Sequence, residues 1–148
     1  MKRSWLLGAV LALGLAGAAS AQVTVAQPWA RSTVSGQKAT GAFMTITSAS
    51  GARLLAAASP VAGVVEIHEM SLEGHVMKMR ALPEGLALPP GKAVELKPGG
   101  YHVMLMDLKE PLKVGSRIKI ELRFESADRK AFSQTVEAEV RAFTQSQH

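Results

Sequence analysis

Histidine and methionine crowd one stretch of this chain. Between Ile67 and Met106 lie His68, His75 and His102 with Met70, Met77, Met79, Met104 and Met106, which is three of the four histidines and five of the seven methionines. Cysteine is absent. Imidazole nitrogen and thioether sulfur are neutral donors, and the pair suits Cu(I). Calcium and magnesium take oxygen ligands instead. Zinc takes His, Cys and carboxylate rather than thioether. With no thiolate available, blue-copper centres, cysteine zinc sites and cysteine-held iron–sulfur clusters are excluded. Two readings of the window follow. It is a Cu(I) site, or its methionines fill a core and its histidines are hydrogen-bonded structural residues. Ligand softness sets no spacing rule, so spacing alone leaves both open.

A strand would position such residues in a simple way, because side chains two apart project to the same face. His102, Met104 and Met106 then point one way and Tyr101, Val103 and Leu105 the other. The same parity joins His68 to Met70, and His75 to Met77 and Met79. One strand can thus offer an ion both a histidine and a methionine. The remaining ligands come from the His68 to Met79 segment if its hairpin lies beside the Tyr101 strand.

The rest of the chain reads as strands separated by turns. Val23 to Gln27 is β-branched and stops at Pro28. Ala39 to Ser48 puts Phe43, Thr45 and Thr47 on one side and Met44 and Ile46 on the other. Leu54 to Ala58 is strand by the company it keeps. Val64 to Met70 and His75 to Arg80 form a hairpin across the Ser71 to Gly74 turn. Pro83, Gly85, Pro89, Pro90 and Gly91 build a loop. Val94 to Lys97 and Tyr101 to Leu108 are further strands. Ser116 to Glu125 alternates most cleanly, and Ala131 to Phe143 is the last strand. About eight or nine short strands with turns at this pace indicate an all-β, antiparallel sandwich or barrel.

Length and leader bound the function. The 148 residues suit one domain. Lys2 and Arg3, the apolar run from Trp5 to Ala18, and Ala19-Ser20-Ala21 make a secretory signal over residues 1–21. The mature domain is residues 22–148. The apolar run falls short of the roughly 20 residues a spanning helix needs, so no stable membrane insertion is expected after cleavage. Outside Lys2 and Arg3 there remain 15 basic and 12 acidic residues without long runs of either sign. That is no nucleic-acid footprint. No Ser/His/Asp arrangement with a nucleophile-elbow glycine pattern appears, and four copper ligands leave little open coordination for substrate, so an enzyme is not expected.

A family resemblance adds to this reading. The words Val65-Glu66-Ile67-His68-Glu69-Met70, Met77-Lys78-Met79-Arg80 and Leu96-Lys97-Pro98-Gly99-Gly100-Tyr101-His102-Val103-Met104-Leu105-Met106 resemble the periplasmic copper chaperones of the PCuAC family. Pro28-Trp29-Ala30-Arg31 and Leu122-Arg123-Phe124-Glu125 extend the similarity over nearly all of the mature chain. The family pattern is a His, a Met about eleven residues on, and a later His-x-Met, and it falls here on His68, Met79, His102 and Met104. The resemblance implies a cupredoxin-like antiparallel β-sandwich in the periplasm. It would bind Cu(I) through those two histidines and two methionines and hand it to a copper-accepting protein. Such acceptors include another copper chaperone or the CuA domain of cytochrome c oxidase during its assembly. Some members carry a His- and Met-rich tail that takes up Cu(II), whereas this chain ends Thr144-Gln145-Ser146-Gln147-His148, so His148 is at best a weak second site.

The neighbours of these four residues keep plainer expectations. His75 is solvated in the turn. Met77 is the substitute ligand on Met79's face, although packing is its expected role, and Met70 and Met106 are assigned to the core. Trp29 is read as a core aromatic. Glu66 and Asp107 are the carboxylates that could orient a liganding imidazole.

Overall fold

The computed structural model describes residues 23–142. The leader read over residues 1–21 and the terminal His148 lie outside them. The described residues form ten strands: β1 (Val23–Arg31), β2 (Ala39–Ser48), β3 (Ala52–Ala58), β4 (Ala62–Glu73), β5 (Val76–Ala81), β6 (Leu86–Leu88), β7 (Ala93–Leu96), β8 (His102–Leu108), β9 (Arg117–Ser126) and β10 (Ala131–Arg141). No helix occurs among them. The all-β reading holds.

The strands hydrogen-bond in the order β5-β4-β8-β2-β1-β10-β9-β3-β6, and β7 pairs with β2. β2 shares one edge between two partners. Its first half, Ala39 to Ala42, pairs with Met106 to Val103 of β8, and its second half, Met44 to Thr47, pairs with Leu96 to Ala93 of β7. The path folds over so that β3 lies against β4, and a single apolar cluster joins the two halves. Met44, Ile46, Ile67, Val103 and Leu105 supply it from one side, and Leu54, Ile120, Leu122, Phe124 and Val140 from the other. Burying each such side chain contributes roughly 1.5–3 kcal/mol.

Three features depart from the sequence reading. First, the sheet is mixed, because β1 and β10 run parallel at Trp29 to Arg31 against Glu139 to Arg141. Second, β1 does not stop at Pro28. Its pairing with β2 shifts register between Ala26 and Trp29, with Gln27 at φ 51°, so a bulge takes the proline where the ladder is already interrupted. Third, β6 occupies part of the proline-rich loop, pairing Leu86 to Leu88 with β3. Three residues are too few to show a period of two.

The hairpin of β4 and β5 reaches beyond the rest of the sheet. β4 pairs with β8 only as far as His68, whereas its pairing with β5 runs from His68 to Glu73. Past His68 the Met70 amide still donates to the Gly100 carbonyl oxygen at 3.2 Å, so the part beyond Met70 is a two-stranded ribbon, and every residue of β5 is exposed. On one ribbon face Glu69 pairs with Arg80 at 2.6 Å and Glu73 with Lys78 at 3.1 Å. The other face carries Met70, Leu72, Met77 and Met79, since Met70 is opposite Met79 and Leu72 opposite Met77.

The candidate metal centre

His68 and His102 are direct register partners on β4 and β8. Strand alternation drives their neighbours Ile67 and Val103 into the core, at 3% and 0% exposure, and so turns both imidazoles to the opposite face. There the rings meet edge to face with centroids 5.7 Å apart. Both are buried, at 8% and 5% exposure.

One nitrogen of each ring is tied down. His68 Nε2 lies 2.7 Å from Glu66 Oε2. His102 Nδ1 lies 3.1 Å from the Gly100 carbonyl oxygen. Carboxylates and carbonyls only accept, so these nitrogens carry the protons and donate. The bare lone pairs are then His68 Nδ1 and His102 Nε2, and both are buried with no hydrogen-bond partner among the described residues. A buried acceptor left unsatisfied costs about 1–3 kcal/mol. Two neighbouring oriented imidazoles, each with one partnerless nitrogen, suit a cation that accepts nitrogen donors.

The two methionines flank the pair instead of adjoining each other. Met104, half-buried, is two residues along β8 from His102 on the same face, opposite Glu66 of β4 and Gly41 of β2. Met79 lies on β5 opposite Met70, 46% exposed, one diagonal step from His68. Along β4 the levels of Met104 and Met79 differ by four residues, about 13 Å of strand. The structure thus brings His68, His102 and Met104 together and sets Met79 outward on the ribbon. Among the described residues no three His, Cys, Asp or Glu side chains group as metal ligands. Met104 and Met79 are the thioethers that flank the imidazole pair.

Aromatic and cationic groups close the site on the β2 side. Phe43 is 3% exposed, its ring centroid 6.4 Å from that of His102 and 4.7 Å from that of Trp29. The Arg31 guanidinium sits 5.6 Å from the Phe43 centroid and that of Arg141 5.9 Å from Trp29. Trp29 is therefore half-buried beside the site and not a core aromatic. Burial is the main cause that holds His102 below the usual histidine pKa; the Gly100 bond opposes it, and electrostatic interaction with His68 and Arg31 adds to it. The site accordingly favours the neutral, ligating form of His102.

The remaining expectations divide. Glu66 does orient an imidazole. Asp107 does not: it is exposed, at φ 53°, with its carboxylate lying over Gly63. His75 is exposed in the turn, as expected. Met70, Met77 and Met106 do not enter the core, where Met44 alone of the described methionines sits at 2% exposure. Sequence reasoning missed three contributors: Phe43, Arg31 and the Gly100 carbonyl. Parity within β2 already set Phe43 opposite the core-facing Met44 and Ile46, and could have found it. A backbone carbonyl leaves no such signal.

Known proteins share this arrangement of strands. The profile of the LpqE-like family, described as "Putative lipoprotein LpqE-like", matches residues 23–140. The relative "Putative lipoprotein Lxx21020" of Leifsonia xyli subsp. xyli is 33% identical over 129 residues, covering 78% of each chain. Among solved structures, the apo PCuAC domain from PmoF1 superposes with a TM-score of 0.65 at 27% identity, over 82% of this chain and 94% of that one. The solution structure of CuI-DR1885 from Deinococcus radiodurans does so with a TM-score of 0.59 at 30% identity, over 85% of this chain and 83% of that one. One of these neighbours is thus a PCuAC domain and the other a Cu(I)-bound protein. With its profile matched from the first strand to the last, the chain belongs to the LpqE-like family.

Proposed function

We propose that this protein is a Cu(I) metallochaperone of the periplasm. Its cargo is held by His68 Nδ1, His102 Nε2 and the thioethers of Met104 and Met79. The observation that carries this is the pair of buried, partnerless imidazole nitrogens at the register of His68 and His102. Similarity to CuI-DR1885 supports the oxidation state. The signal read over residues 1–21, with the lipoprotein names of the relatives, supports export of a single copper-binding domain.

The residues divide the work. Glu66 and Gly100 fix the ring tautomers, so the lone pairs are in place before the ion arrives. Phe43 and Trp29 exclude water on one side. All four ligands are neutral, so none must be reprotonated when the ion leaves, and a partner's ligands can replace them stepwise. Met79 stands at the solvent end and is the first bond to exchange. The acceptor we assign is a copper-accepting protein, such as the CuA domain of cytochrome c oxidase during its assembly or another copper chaperone. The role is binding and transfer, without catalysis.

Anaerobic competition of residues 22–148 against a Cu(I) chelator tests the site. One ion per chain is expected, with binding sharply weakened in His68→Ala, His102→Ala, Met104→Leu and Met79→Leu. Unchanged binding in the two histidine variants would move the site elsewhere. Incubating the loaded protein with an isolated CuA domain tests the acceptor, and no copper transfer would exclude it.

A further inference from the structure

We infer that Met70 and Met77, together with Met79, form an outer thioether station on the β4–β5 ribbon that takes up Cu(I) before it reaches the His68–His102 pair. This rests on the Cu(I) reading above and adds residues to it. The three side chains share one ribbon face. Met70 is directly opposite Met79, and Met77 is opposite Leu72, one diagonal step from Met70. Facing Cβ atoms on paired strands lie about 4.5–5.5 Å apart and diagonal neighbours about 7–8 Å, within reach of long side chains. The three sulfur atoms can therefore close on one ion. Met79 is in turn the diagonal neighbour of His68, so the station ends where the imidazole pair begins.

Packing does not account for these residues. The core accepts a methionine where it needs one, at Met44, which is 2% exposed. Met77 and Met79 instead stand at 48% and 46% exposure, on a ribbon whose opposite face is charged and ion-paired. The imidazoles are buried, so an incoming donor meets exposed groups first. The exposed groups on this face are Leu72, Met77 and Met79, so the soft donors met first are thioethers, and outward from His68 come Met70 and Met79 at one level and Met77 at the next. Passage inward is ligand exchange alone. A copper–sulfur bond to the ribbon forms as a bond to the donor breaks, the ion keeps its single charge, and no proton or electron moves.

Leucine substitution keeps size and apolarity and removes the sulfur, and such swaps in general cost less than about 1.5 kcal/mol, so variants at half-buried Met70 and exposed Met77 fold. Two measurements on residues 22–148 test the station. In Met70→Leu/Met77→Leu, stopped-flow loading from a Cu(I)–chelator complex should slow by roughly tenfold, the low end of what supporting groups contribute at metal sites. Its equilibrium affinity should match that of the unaltered protein. In His68→Ala/His102→Ala, Ag(I) added as a closed-shell substitute should shift the methyl resonances of Met70, Met77 and Met79. Unchanged loading with no methyl shift at Met70 or Met77 overturns the station while leaving the inner site standing. If the leucine variant loads normally but loses binding to a protein partner, the face is an apolar docking surface and the station is again overturned. Failure of the unaltered protein to take Cu(I) from the chelator removes both proposals at once.

Discussion

His68 and His102 face each other across adjacent strands, 5.7 Å between ring centroids, each with one nitrogen already committed to an oxygen and the other buried and bare. The relationship is made by the backbone ladder, since the two residues are register partners. Moving β4 by one residue against β8 would send His68 to the core and Ile67 to the site. Burial of Ile67, Val103 and Leu105 therefore holds the imidazoles together as firmly as it holds the fold.

Glu66 is the first residue to test. Its carboxylate fixes the proton of His68 on Nε2 and leaves Nδ1 bare. In Glu66→Ala the ring is free to rotate and to carry its proton on either nitrogen. Supporting partners of liganding histidines contribute about 10–100-fold to metal affinity, and a loss in that range is expected in Cu(I) competition. Glu66 is partly exposed, so thermal stability should change little. An unaltered affinity would show that packing alone orients the ring.

Acidification should destabilise the apo protein through His102. Its pKa is lowered on folding, chiefly by burial. The unfolded chain thus binds this proton more readily than the folded one. The contribution to stability is fully present above the unfolded value of about 6.5 and is lost as pH falls through the lower folded value. Urea midpoints taken between about pH 7.5 and about pH 5 should fall with pH, and His102→Gln should flatten that slope. An equal slope in the variant would assign the acid sensitivity to another group.

Alternation made much of this legible from sequence. In β8 and β2 it separated His102 and Met104 from Val103 and Leu105, and Phe43 from Met44 and Ile46, and the structure keeps both divisions. What alternation cannot supply is the partner of a strand. It gave no means of seeing that β1 would lie parallel to β10, or that Pro28 would fall in a bulge. Nor could it tell that β5 would have a neighbour on one edge only among the described residues, and this is why Met77 looked like core. A methionine's side chain reads the same whether the face above it is covered or open. The distance between Met79 and Met104 was equally hidden, because it depends on the two registers of β4 together.

The two faces of β8 should separate on mutation. Leu105 is fully buried in the core and Met104 is half-buried on the outer face. Leu105→Ala should cost about 2–5 kcal/mol of unfolding free energy, with Cu(I) affinity of the folded protein retained. Met104→Leu should do the reverse, costing less than about 1.5 kcal/mol while weakening Cu(I) binding. Urea titration and chelator competition on both variants give the comparison. Equal losses in both assays would mean that core and site are not independent.

Gly41 tests how tightly the aromatic wall is held. A Cβ at this position would come 2.9 Å from Phe43 Cζ, so the ring lies over the bare glycine. Trp29 packs on the same ring at 4.7 Å between centroids, and the ring has little room to retreat. Gly41→Val should overpack this wall at a cost of about 1–3 kcal/mol. The displaced ring should also disturb His102, whose centroid is 6.4 Å from that of Phe43. Imidazole nitrogen shifts of His102 should move, and Cu(I) affinity should fall with them. Gly100→Ala is the matched control. A Cβ there would meet Lys97 at an ordinary 3.6 Å, and the carbonyl that accepts from His102 is unchanged. That variant should lie within about 0.5 kcal/mol of the parent. If Gly41→Val left the His102 resonances in place while lowering stability, Phe43 would be packing alone and would have no part in setting the imidazole.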